Sequence, residues 1–440
     1  MIPTILIAGT HSGCGKTTVA CGLMSALTAR GLKVQPFKVG PDFIDPTHHT
    51  AICGRSSRNL DPFMMGEDEV VRTFVQASTG ADLAVIEGVM GMFDGVEGTI
   101  EGSTAHVAQI LSIPVQLVVD VRGMSRSANA IIQGFRSFES GVRIRGAIFN
   151  RVGSPHHRSM IERSLPVPAY GWIPVDPTRS VESRHLGLFM AQEDRKMREW
   201  GPFIEEYCNV DALARDAVTP DLPATPTHAR KPEPSLRVGV ARDAAFCFYY
   251  QENLLRLKRQ GGELVFFSSL SDRLPEVDLL YLGGGYPELH AEALSYAPAL
   301  RDIRRACEDG MPVYAECGGL AVLCRSIAVR DRECRMAGIL PAEAVMRSRF
   351  QALGYVEGSG TGISPLFPPD LFFRGHEFHY SCLSCDNDAR FALRLTRGKG
   401  ISEGRDGLTE HQTVGSYSHA YFTDAFADTL LFAGRAWKRT

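Results

Sequence analysis

No stretch of this 440-residue chain approaches the ~20 consecutive apolar residues that a membrane-spanning helix requires, so a helical membrane protein is excluded. Basic charge is not in excess either. Lys and Arg number 47 against 50 Asp and Glu, a net charge of −3, which leaves no electrostatic footprint for nucleic acid. The opening Met1-Ile-Pro-Thr4 lacks the charged start and the cleavage site of a signal peptide. The eleven cysteines are scattered and odd in number, which argues against a disulfide framework. Only Cys382 and Cys385 are closely spaced, and one such pair is half a zinc site at best. A reducing cytoplasm is the expected location. Short-period repeats and low-complexity tracts are missing too. What remains, 44% hydrophobic and 22% charged residues, is the composition of a globular protein too long for one core, so two domains are expected.

The chemistry begins at Gly9-Thr-His-Ser-Gly-Cys-Gly-Lys-Thr-Thr18. An apolar run, Thr4–Ala8, precedes it, and Val19, Ala20, Leu23, Met24 and Leu27 follow at helical spacing, closing before Gly31. Strand, glycine-rich turn and helix in that order form the setting of a phosphate-binding loop, where converging N–H groups and the helix N-terminus hold a phosphate. Ser12, Gly13, Gly15, Lys16, Thr17 and Thr18 are therefore expected to bind a nucleoside triphosphate. Lys16 would reach the β- and γ-phosphates and Thr17 would ligate Mg²⁺. One departure is visible: Thr10 occupies the place of the loop's usual first glycine, with Gly9 one position earlier.

Two further strand ends carry charge. Leu83-Ala-Val-Ile-Glu87 runs into a glycine-rich loop, and ligands of open parallel sheets gather beyond the carboxyl ends of strands, so Glu87 is a candidate metal ligand. Phe37–His48 places Lys38 to neutralise a transferring phosphoryl group, and Asp42 and Asp45 to ligate Mg²⁺ or hold an acceptor. Asn150 and Arg151, at a later strand end, are positioned to touch the adenine.

In the second half, Pro312-Val-Tyr-Ala-Glu-Cys317-Gly-Gly-Leu320 reads as a short strand turning sharply into a helix. Such an elbow exposes a nucleophile and leaves room for a reacting carbonyl. Gly318 and Gly319 allow close approach of a substrate. A cysteine nucleophile needs a base and an oxyanion hole. His419, in the short β-like run Ser416-Tyr-Ser-His-Ala420, is the preferred base, with His376 and His379 as competitors. Gly284 and Gly285, at a strand end, and Gly318 after the cysteine are the expected oxyanion donors.

Prolines 220, 223, 226, 232 and 234 mark 218–236 as a linker between domains 1–217 and 237–440. Before it, apolar runs at Thr4–Ala8, Val34–Lys38, Leu83–Glu87, Val115–Asp120 and Gly146–Asn150 alternate with helical patterns, which predicts a parallel sheet covered by helices. After it, Arg237–Ala241, Glu263–Phe267, Leu279–Leu282 and Pro312–Ala315 predict a second α/β domain, with β-rich sequence from about residue 335.

Taken together, Gly9–Thr18, Phe37–His48, Asn59-Leu-Asp61, Glu87–Gly95, Val119–Arg126, Arg184–Gly187, Ala241–Phe246, Gly283–His290, Ala315–Leu320 and Ser416–His419 resemble the cobyrinic acid a,c-diamide synthase family, and the resemblance spans nearly the whole chain. It implies a P-loop NTPase-like domain joined to a class I glutamine amidotransferase-like domain, in a glutamine-hydrolysing carbon–nitrogen ligase. ATP and Mg²⁺ would activate the a- and c-acetate carboxylates of cobyrinate as acyl phosphates. Cys317, with His419 as base, would release ammonia from L-glutamine through a thioester. Related triad glutaminases carry Glu two residues after the histidine; here that place is Tyr421, so the orienting third group is unknown. The resemblance extends equally to Ni-sirohydrochlorin a,c-diamide synthase. A partitioning-type nucleotide switch is the rival of another class, but such proteins carry a lysine where His11 stands and lack the cysteine elbow. No nucleic acid or membrane partner is implied, and a homodimer is left open.

Overall fold

A computed structural model of the chain describes residues 1–176, 183–184, 187–188, 190–191, 193, 196–222 and 236–438. It divides into two compact units, Met1–Pro226 and Thr227–Thr440. Val218, where the proline-rich stretch begins, exchanges both backbone hydrogen bonds with Thr4. The rest of the expected linker falls mainly on 223–235, outside the described residues, as do His185 and Leu186 of the Arg184–Gly187 match.

The first unit is built on seven strands: β1 Thr4–Gly9, β2 Val34–Val39, β3 Arg58–Leu60, β4 Leu83–Glu87, β5 Val115–Asp120, β6 Ile144–Val152 and β7 Ala169–Pro174. They lie in the order β3-β2-β4-β1-β5-β6-β7, and every neighbouring pair is parallel. Successive residues of β1 face opposite sides: Leu6 and Ala8 enter one core, Ile5 and Ile7 the other. Burial on both faces is why these strands read as unbroken apolar runs. Because β2, β4 and β1 are successive parallel neighbours, their carboxyl ends bring Lys38, Glu87 and the glycine-rich turn to one edge of the sheet. Helix α1 (Lys16–Ala29) starts directly after the glycine-rich turn, and α2 (Asp45–Cys53) begins with Pro46 near its N-terminus and ends at Gly54, whose φ of 66° only glycine adopts freely.

The second unit has a ten-stranded mixed sheet. Gly262–Phe267, Leu236–Ala241, Leu279–Leu282, Val313–Glu316 and Thr413–Ser416 are parallel neighbours. Arg405–Glu410, Arg390–Arg397, Ala352–Gly360, Phe372–His379 and Ser418–Ala420 continue it antiparallel. The irregular β-rich sequence after residue 335 is thus the antiparallel extension, together with two strands, Ala342–Met346 and Ser381–Cys385, of a separate four-stranded sheet. Among the described residues no helix is long and apolar enough to cross a membrane.

Candidate active sites

The phosphate loop is shaped by close contacts that forbid side chains. A Cβ on Gly15 (φ 103°) would strike Asn150 Nδ2 at 2.1 Å, and one on Gly9 would strike Cys14 Sγ at 2.3 Å. Gly13, by contrast, borders open space. Asn150 donates to Cys14 O (2.9 Å), and Arg151 donates to Gly13 O (2.9 Å) and to Asp120 (2.6 Å). These two residues, expected at the adenine, are engaged in holding the loop itself. Lys16 Nζ folds back over the turn to His11 O (3.2 Å). Burial, with Lys38 close by, pulls its pKa below the ordinary lysine range.

Register places the charges beyond it. Glu87 stands between Ile7 of β1 and Lys38 of β2. Its Oε1 accepts from Thr17 Oγ1 (2.6 Å) and Lys38 Nζ (2.8 Å), and Oε2 lies 2.7 Å from His49 Nε2 on α2. Lys38 also donates to Asp45 Oδ2 at 2.5 Å and Gly88 O at 3.2 Å. Burial opposes every charge here, and the balance decides each one. The carboxylates of Asp45, Glu87 and Asp42 overcome it at Lys38, raising its pKa. Lys38 and His49 overcome it at Glu87, which is driven below the usual carboxylate range. Asp45 goes the other way, raised by burial and by Asp42. Asp42 turns its Oδ1 to the N–H groups of Ile44 and Asp45, so it shapes the start of α2. A triphosphate with its magnesium ion fits these residues: open space over Gly13, a lysine above it, and a threonine hydroxyl tied to an ionised carboxylate.

In the second unit, Cys317 has φ 47° and ψ −95°, a strained conformation for a non-glycine residue that costs of order 1–3 kcal/mol. It is held by Cys317 N donating to Ser416 O (2.7 Å) and by Ala321 N donating to Cys317 O (3.0 Å). None of the eleven cysteines is in a disulfide. Burial pushes the thiols of Cys53 and Cys208 up to about 12 and that of Cys307 to about 11, away from the thiolate form that a nucleophile needs. A Cβ on Gly284 would lie 2.4 Å from His419 Cε1, and one on Gly318 would lie 3.2 Å from Gly285 N, so the three expected oxyanion glycines surround the Cys317 and His419 elements.

The three histidines differ in their surroundings. His376 pairs with His419 across the ladder, and burial together with His419 pulls it down to about 3. His379 Nδ1 donates to Ser381 O (2.8 Å), its ring stacks 3.6 Å from Tyr417, and burial lowers it to about 4. Burial would lower His419 as well, but Cys317 and Glu316 outweigh it and raise His419 to about 9. The proton-holding imidazole is His419. Glu316 is a residue the sequence reading passes over.

Residues 5–188 match the CobQ/CobB/MinD/ParA nucleotide binding domain, and residues 237–426 match the CobB/CobQ-like glutamine amidotransferase domain. Similar chains include one from Magnetococcus marinus, 41% identical over 99% of this chain and 97% of its own. Another, from Archaeoglobus fulgidus, is 41% identical over 100% of this chain and 98% of its own, and one from Methanosarcina barkeri is 40% identical over 99% and 97%. All three are named cobyrinate a,c-diamide synthase.

Proposed function

The chain belongs to the cobyrinate a,c-diamide synthase family of glutamine-hydrolysing carbon–nitrogen ligases, and from that premise we propose that it amidates the a- and c-acetate carboxylates of cobyrinate through acyl phosphates. Domain 1–217 carries the activation and domain 237–440 the glutaminase. The observation that carries the reading is the presence, in one chain, of a lysine-bearing phosphate loop with charged strand ends and of a cysteine held at a positive-φ elbow. A carboxylate does not react with ammonia until its oxygen is made a leaving group, and phosphorylation does that.

In the first domain Ser12, Gly13, Gly15, Lys16, Thr17 and Thr18 bind the ATP phosphates. Thr17, its hydroxyl oriented by Glu87, is the ligand for Mg²⁺, which when bound screens the phosphate charge. Lys38 offsets the repulsion between ATP and an anionic acceptor, while Asp45 beside it contacts the acceptor group. In the second domain Cys317 Sγ attacks the γ-carbonyl carbon of glutamine, forming a C–S bond. Gly284, Gly285 and Gly318 face the oxyanion. His419 passes the thiol proton to the departing nitrogen, which leaves as ammonia. Water then attacks the thioester carbon, and the C–S bond breaks to give glutamate and the thiol. Ammonia displaces phosphate from the acyl phosphate, giving the amide.

Incubation with MgATP, glutamine and cobyrinic acid, read by mass spectrometry, should show two carboxylates converted to amides. One amide under exhaustive conditions, or turnover of Ni-sirohydrochlorin with cobyrinic acid untouched, overturns the substrate assignment.

A further inference from the structure

The group that orients the glutaminase imidazole is not supplied by the position after the histidine. Tyr421, two residues on, turns its hydroxyl to Arg256 (3.4 Å), whose guanidinium lies over the Tyr421 ring and also pairs with Asp424. Asp406, a buried acid nearby, accepts from Tyr417 N, Ser418 N and Ser418 Oγ. It holds the backbone leading to His419 rather than the ring.

The carboxylate that faces the ring is Glu316, the residue before the nucleophile. Along Val313–Glu316, Tyr314 and Glu316 share one face, because strand side chains alternate. Cys317 then turns away at its positive φ. The Glu316 carboxylate is 1% exposed and is fixed from three directions: Tyr281 Oη donates to Oε2 (2.8 Å), Tyr314 Oη to Oε1 (3.1 Å) and Ala420 N to Oε1 (3.1 Å). The last of these bonds ties it to the strand carrying His419. Its Oε2 lies 3.7 Å from His419 Nδ1, with both side chains buried.

Resting on the glutaminase reading above, we propose that Glu316 is the positioning residue of this site, holding the His419 imidazole by its Nδ1 edge so that Nε2 serves Cys317. A carboxylate in sequence contact with the nucleophile thereby does the work that related enzymes give to an acid after the histidine. Four titratable groups face His419: Glu316 and Cys317, which favour its proton, and the imidazoles of His376 and His379, which burial keeps neutral. Glu316 thus provides the negative charge that balances an imidazolium. Its three donors prevent the carboxylate from swinging away during the cycle.

The test is Glu316→Gln, which keeps the volume but removes the charge and turns one accepting oxygen into an NH₂ donor, assayed as glutamate release by the full chain. The expected result is a fall in kcat of about 100-fold with KM for glutamine changed only a few-fold, a moderate value for losing the group that orients a catalytic imidazole. The alkaline limb of the rate profile should move to lower pH, because without the anion His419 gives up its proton earlier. A merely structural Glu316 would leave that limb in place, and an unmoved limb overturns the proposal. Far-UV circular dichroism and the thermal melt of the full chain serve as the folding control. Should the glutamine variant not fold, Glu316→Asp carries the test: the shortened side chain keeps charge but draws away from Nδ1, so kcat must fall, and unchanged kcat overturns the proposal. Cys317→Ala separates the two readings. Glutamate release by that variant sinks the glutaminase assignment itself, whereas a dead Cys317→Ala beside a normal Glu316→Gln sinks only the role of Glu316.

Discussion

Replacing Lys38 with methionine tests the charge cluster at the carboxyl end of β2, because methionine approximates the stem and removes only the ammonium. Lys38 is 3% exposed and lies between Asp45 at 2.5 Å and Glu87 at 2.8 Å. Removing one partner of a buried ion pair destabilises a protein by about 3–5 kcal/mol, since the charge left behind has neither water nor partner. Two features put this case at the lower end, about 3 kcal/mol. Glu87 retains its contacts with Thr17 and His49. Asp45, already raised by burial and by Asp42, relieves itself by taking a proton. In a unit of this size each kcal/mol moves Tm by about 2–4 °C, so a fall of about 6–12 °C is expected.

The effect must depend on pH in one direction. Glu87 is held below its unfolded value, so in the unmodified protein it contributes stability that is present above the unfolded carboxylate pKa of about 4.3 and is lost only as pH falls through the lower folded value. Without Lys38 most of that depression disappears. The gap between the two proteins is therefore widest at neutral pH and narrows as pH falls below about 5. Urea unfolding in a Trp437→Phe background reads it, because Trp172, stacked 4.3 Å from Phe149, and buried Trp200 then report on the first unit. A loss below about 1 kcal/mol at pH 7, or a gap that stays constant into acid, would refute the account of Lys38 as the counter-ion of this cluster.

Three further substitutions separate the half-reactions. Cys317→Ala should abolish amidation from glutamine and leave amidation from concentrated ammonia at raised pH; retained glutamine-dependent turnover would show that another group is the nucleophile. Lys16→Ala should remove activity with both nitrogen donors, a loss of several kcal/mol in transition-state stabilisation, checked by steady-state rates with each donor. Gly284→Ala should depress glutaminase kcat while sparing ammonia-dependent amidation, because its Cβ would sit 2.4 Å from His419 Cε1 and displace the ring.

How far such sites can be read from sequence depends on how local their signals are. Strands β1, β2, β4, β5 and β6 are legible because burial on both faces leaves apolar runs, and the glycine-lysine-threonine turn is legible because its geometry is written in adjacent residues. Strand β3 escapes such reading: Arg58-Asn59-Leu60 is too short to show a period. Yet Asn59 donates to the carbonyls of Gly40 and Asp42 and so fixes the loop between Lys38 and Asp45. Strand β7, Ala169–Pro174, is masked by Gly171 and its closing proline. His49 lies one helical turn beyond Asp45 within α2, with nothing in its neighbours to show that Glu87 lies 2.7 Å away.

Glu316 is the informative middle case. It ends Val313-Tyr-Ala as Glu87 ends Leu83-Ala-Val-Ile, and a carboxylate closing an apolar strand is a readable signal at both places. What sequence withholds is the partner. At Glu87 the partners are the phosphate loop and β2, whose positions follow from the order of a parallel sheet. At Glu316 the partner is His419, brought alongside only because Thr413–Ser416 adds parallel to Val313–Glu316 and the chain then crosses to pair Ser418–Ala420 with Phe372–His379. That crossing is set by long-range antiparallel pairing, and no local period encodes it. A carboxylate next to a nucleophile therefore reads from sequence as part of a strand, and only the sheet that closes around it gives its charge a histidine to act on.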